Sequence, residues 1–180
     1  MNIFFDFDGV ILDSLDIKEV GFREIFSNYQ KTEIEELIKF HRKNLGKSRF
    51  IKIKFFYNKI LKKKIKKKKI KNYSNFFSKI MKKNLNNKSR IIKDCVWFIK
   101  KKYKKNNLYI VSGTEQKELR WLCKSLGINK YFQEIDGSPV SKQYLIMNIM
   151  KKHSLLKSNS IMIGDSVNDY EAAKYNNIKF

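Results

Sequence analysis

Three short apolar runs set the limits on what this chain can fold into: IFF at 3–5, LYIV at 108–111 and IMI at 161–163. Each stops on acidic or small residues: Asp6, Asp8 and Gly9 after the first, Ser112 and Gly113 after the second, Gly164 and Asp165 after the third. Each then gives way to a segment with helical spacing. Runs this short, closed by turn residues, read as buried strands. Strands alternating with helices build an α/β fold with a doubly wound parallel sheet. Such a sheet gathers the carboxyl ends of its strands at one edge, where ligands bind.

Between the first and second runs the chain reads as helices only. Residues 15–29 carry Ile17, Val20, Phe22, Ile25 and Phe26, with Ser14 as the expected N-cap. A helix over 33–44 opens on Thr32 and Glu35, spaced as a capping box, and Gly46 breaks it. Another starts at Ser48 with Ile53, Phe56, Tyr57, Ile60 and Leu61 on one face. A third, from about 69, has Tyr73, Phe76, Phe77, Ile80 and Met81 as its stripe. The pattern predicts a small α-helical cap, 15–87, inserted after the first strand of a core formed by 1–14 and 88–180. The tract KKKIKKKKIK at 62–71 reads as a solvated connector, and repulsion between its charges makes it the expected mobile part of the block.

The rest of the core reads as a helix over 89–105, the second strand, and a helix over 115–126 that stops at Gly127. A weaker strand over 132–135 leads to a turn at 136–139. Then come a helix over 141–153, the strand at 161–163, a helix over 167–175 and, at 178–180, the start of a further strand. Trp97 and Trp121 are expected to pack the core helices, and His153 to cap one.

A formal net charge of +23 invites a nucleic-acid or membrane-surface reading. Only five of the 40 basic residues are Arg, however, and the chain also holds 23 Ile and 17 Asn. Residues with A/T-rich codons dominate, so genome bias suffices. Specific phosphate and base readers use the bidentate fork of Arg. No specific nucleic-acid partner is expected, only weak, salt-sensitive sticking. Cys95 and Cys123 stand alone without metal-ligand spacing, which fits a reduced, cytoplasmic compartment. The longest apolar run, 95–99, is too short to span a membrane, and acids occupy the N-terminus where a signal peptide carries basic residues. The expected form is a monomer or weak dimer acting on a small molecule.

Asp6 and Asp8 share one side of the first strand if its geometry persists. Two acids there repel unless a cation or proton is shared, which points to a metal site. In chain order the strand ends supply DFDGV, then VSGT, then Lys142 after GSP, then GDSVND. This series resembles the haloacid dehalogenase-like hydrolase superfamily over nearly the whole chain. The helical insertion resembles the cap of its phosphoglycolate phosphatase and β-phosphoglucomutase branch, on a Rossmann-like core.

The resemblance implies that Asp6 is the nucleophile, forming an aspartyl-phosphate, and that Asp8 is the general acid and then the base. It implies that Ser112 and the Gly113 backbone hold the phosphoryl oxygens and that Lys142 neutralises charge. Mg²⁺ would be held by Asp6, the Asp8 carbonyl and Asp165, with Asp169 acting through water or orienting Lys142. In the cap, Arg49 and His41 are the candidate contacts to the rest of a small phosphorylated metabolite, a sugar phosphate or a phosphoglycolate-like acid. The expected reaction is Mg²⁺-dependent phosphomonoester hydrolysis. Its rivals are a phosphomutase of the same fold and, in another class, a non-catalytic basic RNA-binding protein. The family usually continues beyond the equivalent of Phe180, so a cut chain or a reduced sheet edge is expected.

Overall fold

The computed structural model describes residues 1–180. Four strands, β1 (Asn2–Phe5), β2 (Asn107–Glu115), β3 (Glu134–Ser138) and β4 (Ser160–Ile163), pair in the order β3-β2-β1-β4, all parallel. β1 is therefore central, which explains its unbroken apolar sequence: a parallel strand covered on both faces has no polar side to alternate with. Phe4 stacks on Tyr109 on one face of the sheet, packed with Leu145, Ile146 and Ala172. Ile3 and Phe5 face the other way, into a cluster of 28 buried residues that runs on through Phe22, Phe26, Phe56 and Phe77 of the insertion.

The chain has eight α-helices: α1 (Leu15–Ile25), α2 (Lys31–Lys43), α3 (Arg49–Phe55), α4 (Lys67–Leu85), α5 (Lys93–Lys102), α6 (Gln116–Ser125), α7 (Lys142–Lys152) and α8 (Val167–Tyr175). No strand interrupts α1 to α4, and a π-helical turn at Phe56–Ile60 continues α3. The fold is the expected α/β class. No helix is long and apolar enough to cross a membrane.

Several local expectations give way. Ser14 precedes α1 but makes no cap hydrogen bond; its hydroxyl donates to Asp8 Oδ1 at 2.7 Å instead. The capping box of α2 pairs Gln30 with Glu33, two residues ahead of the Thr32 and Glu35 pair. The lysine tract is split, for 67–71 belong to α4, where buried Ile70 anchors the turn.

The DGS segment expected as a turn lies in β3, because Asp136 and Ser138 pair with Val111 and Glu115 of β2; Gln116, just after β2, donates to Ile135 O and accepts from Gly137 N. Trp97 and Trp121 are 63% and 38% exposed, under Lys101 and Lys82, because Val96, Ile99, Leu119 and Leu122 fill the core-facing positions. The C-terminal segment does begin to pair, with Lys179 bridged in parallel to Ile161. His153 is the C-cap of α7, its ring hydrogen-bonded to Glu134.

Candidate active site

Parallel pairing brings the ends of β1 and β4 side by side, and Asp6 N continues the ladder by donating to Ile163 O at 2.9 Å. Carboxylate oxygens of Asp6, Asp165 and Asp169 lie within 4.8 Å of one another. Asp165 sits on the turn after β4, against the loop after β1. Gly9 there has φ +79, and a Cβ on it would overlap the Asp165 carboxylate. Asp169 lies one turn into α8 and accepts from Ser166 N at 3.1 Å and Ser166 Oγ at 2.6 Å, closing the capping box. Lys142 opens α7 and reaches in from the opposite side, with Nζ 3.0 Å from Asp6 Oδ2 and hydrogen-bonded to Asp169.

Three carboxylates thus cluster at one ammonium, which pairs with two of them, Asp6 and Asp169. Burial pushes the Asp6 carboxyl up to about 7; Lys142 opposes the rise, while Asp169 and Asp8 add to it. Asp165 is also raised, by burial and then by Asp169. Burial alone would lower Lys142, but Asp6 and Asp169 overcome it and raise it. The site is short of positive charge, and its side-chain donors are all hard oxygens. That chemistry fits a divalent cation of the Mg²⁺ type, which takes a few carboxylates and keeps its waters.

Asp8 is differently placed. It accepts from Ser14 Oγ and from Thr114 Oγ1, each at 2.7 Å, and pairs with Lys18; Ser112 Oγ lies 3.4 Å away. Burial would raise this carboxyl, but Lys18 and then the two hydroxyls hold it down at about 2. Ser112 is buried at the end of β2 and accepts from Thr114 N at 3.1 Å. Sequence reasoning missed Ser14, Lys18 and Thr114 as neighbours of Asp8. Thr114 had a signal, since it lies two residues after Ser112 on the same strand. Lys18 had none among 35 lysines.

The insertion closes over this edge. The carbonyl of Gly46, in the loop after α2, accepts from Asn168 Nδ2 at 3.2 Å and lies so close to Gly113 that a Cβ there would overlap it. Between the two halves is a cavity of about 20 Å³, bounded by Asp8, Asp165 and Gly113 below and by Lys18, His41, Lys47 and Lys52 above. It has room for about one water. A much larger cleft, about 1020 Å³, lies elsewhere, between α3, α4 and the start of α6, and none of the clustered carboxylates line it.

His41 lies at this cavity, fully buried and hydrogen-bonded to Lys52. Arg49 does not. Its guanidinium forms a buried, two-pronged pair with Glu118 of α6 at 2.7 and 2.6 Å and donates to Ser78 Oγ at 2.9 Å. The expectation that Arg49 faces the pocket is corrected: its charge is spent joining α3 to α6.

Against known proteins, a family described as Haloacid dehalogenase-like hydrolase matches residues 3–180. Among solved structures, a predicted phosphatase from Clostridium acetobutylicum is similar, with a TM-score of 0.76 at 18% identity over 98% of this chain and 81% of that one. CbbY from Rhodobacter sphaeroides, in complex with phosphate, has a TM-score of 0.74 at 14% identity over 98% and 83%. YfnB from Bacillus subtilis, bound to magnesium, has a TM-score of 0.67 at 14% identity over 98% and 85%. No match is found among curated protein sequences.

Proposed function

The chain belongs to the haloacid dehalogenase-like hydrolases, and from that premise we propose that it is a Mg²⁺-dependent phosphatase of small phosphomonoesters, with 1–14 and 88–180 as catalytic core and 15–87 as cap. The observation that carries this is the meeting of Asp6, Asp165 and Asp169 around Lys142 at one edge of the sheet. In the proposed reaction a carboxylate oxygen of Asp6 attacks phosphorus. The Asp6–phosphorus bond forms as the bond to the leaving oxygen breaks, and Asp8 gives that oxygen its proton. Water then attacks the aspartyl-phosphate, Asp8 takes a proton from it, and inorganic phosphate leaves with Asp6 restored.

Ser112 Oγ and the Gly113 N–H are assigned to the phosphoryl oxygens, and Lys142 to the negative charge they carry. Asp6, Asp165 and the backbone of Asp8 would hold Mg²⁺, with Asp169 keeping Lys142 in position. The cation supplies charge neutralisation at the phosphoryl group and keeps Asp6 ionised at neutral pH. Asp8 must exchange its bond to Lys18 for a proton when substrate enters. The 20 Å³ cavity requires the cap to lift for that entry. His41 is assigned to the cap wall that meets the leaving group. A phosphate bound to CbbY and a magnesium bound to YfnB, both of this fold, agree with the reading.

The test is hydrolysis of an aryl phosphate. Mg²⁺ should support it, a chelator should silence it reversibly, and Asp6→Asn should lower turnover by at least about 10³-fold with the fold intact. Turnover that persists in chelator, or in Asp6→Asn, rejects the assignment.

A further inference from the structure

The cap wall of the cavity holds a cation without a counter-charge. Lys52, on α3, is 4% exposed, yet no carboxylate lies within ion-pair distance of it. Its one hydrogen-bond partner is the neutral ring of His41, with Nζ 2.7 Å from Nδ1. With Lys52 protonated, its ammonium can only donate, so Nδ1 accepts and the ring proton sits on Nε2. That Nε2 is buried with no partner, in a residue 1% exposed. Both side chains line the cavity that Asp8 and Asp165 bound from below.

The other buried site lysine, Lys142, is balanced by two carboxylates. Lys52 is not, and burying an unpaired ammonium is costly enough that structures seldom do it. A methionine would fill the same space without that cost. Burial and then the charge of Lys18 hold the Lys52 ammonium well below its ordinary range, and burial does the same to His41, at about 2. Both groups lack an anion that the chain itself does not supply.

Building on the phosphatase reading, we propose that Lys52, braced by His41, reads a second anionic group on the substrate. The preferred phosphomonoester then carries a carboxylate or a second phosphate on its leaving group, rather than the neutral hydroxyls of a simple sugar phosphate. The reacting phosphate sits at Asp6, the distal anion meets Lys52, and the Nε2–H of His41 is a second donor on the same wall. Recognition of this kind is a charge-assisted contact in a dry pocket, which makes it selective.

The experiment compares matched pairs in the presence of Mg²⁺. One pair is 2-phosphoglycolate and the phosphate ester of glycolamide, in which a neutral amide replaces the carboxylate. The other is ethylene glycol bisphosphate and its monophosphate. The wild-type protein should favour the member with the second anionic group in at least one pair by about tenfold or more in kcat/KM, as one charge-assisted contact provides. The pair that shows the larger ratio identifies the anion as carboxylate or phosphate. Lys52→Met should bring that ratio close to one, chiefly through KM for the ester with the second anionic group, and Lys52→Arg should retain part of it.

Wild-type ratios near one in both pairs overturn the proposal, as does a ratio that survives Lys52→Met. Should Lys52→Met not fold, the wild-type ratios decide alone. Failure to hydrolyse any of these esters or an aryl phosphate would instead strike the phosphatase reading on which the proposal rests.

Discussion

Asp6 and Asp8 are two residues apart on one strand end, and their surroundings drive them in opposite directions. Asp6 is raised to about 7 by burial, while Asp8 is held at about 2 by Lys18 and two hydroxyls. The signs follow from linkage. An unfolded Asp titrates near about 4, so between about 4 and 7 native Asp6 keeps a proton that the unfolded chain has lost. Stability from this group therefore falls as pH rises through that window. Asp8 contributes in the opposite sense, with stability present above about 4 and lost as pH falls towards about 2, outside the Asp6 window.

In chelator, raising the pH from 5 to 7 should lower the melting temperature of the wild type more than that of Asp6→Asn, and Mg²⁺ at pH 7 should restore it in the wild type. Parallel pH profiles for the two proteins would contradict the assignment of the raised carboxyl to Asp6. The acids of this site were legible because their types and positions at strand ends are local facts. Lys18 was not, because its partnership with Asp8 is made by the fold from one lysine among 35.

At the scale of elements, the joint between α3 and α6 matters most. The Arg49–Glu118 pair is buried on both sides and crosses from insertion to core. Breaking a buried pair leaves one charge stranded, so Arg49→Ala should cost about 3–5 kcal/mol of unfolding free energy, measured in denaturant. The double variant Arg49→Met, Glu118→Leu should recover most of that loss, since packed apolar side chains replace such a pair at little cost. A single-variant loss below about 1 kcal/mol would show the pair to be no more than a surface contact.

The helices themselves were readable from apolar spacing, and α8 was read residue for residue. The N-terminal caps of α1 and α2 were not. Ser14 turned from α1 to Asp8, and Arg49 from the pocket to Glu118, because each polar side chain took the better partner that tertiary packing offered. The edge strand β3 was misplaced for a related reason, since pairing with Val111 and Glu115 of β2, bridged by the Gln116 side chain, makes DGS a strand.

For the whole molecule, the fold was legible because a parallel sheet leaves few choices: buried apolar strands, helices between them, and one edge where the motifs meet. What the sequence obscured was charge. Against a background of +23, the two buried lysines of the site, Lys142 and Lys52, are distinguished only by burial, one among carboxylates and one without them.

In the proposed reaction both halves of the chain converge on Asp6, which carries the phosphoryl group. The direct measurement is acid quenching during turnover of an aryl phosphate with Mg²⁺, followed by peptide mass spectrometry. The account predicts phosphoryl mass on the peptide that contains Asp6, lost in Asp6→Asn. Steady turnover with that peptide unmodified, or with the phosphoryl group on another residue, would contradict it.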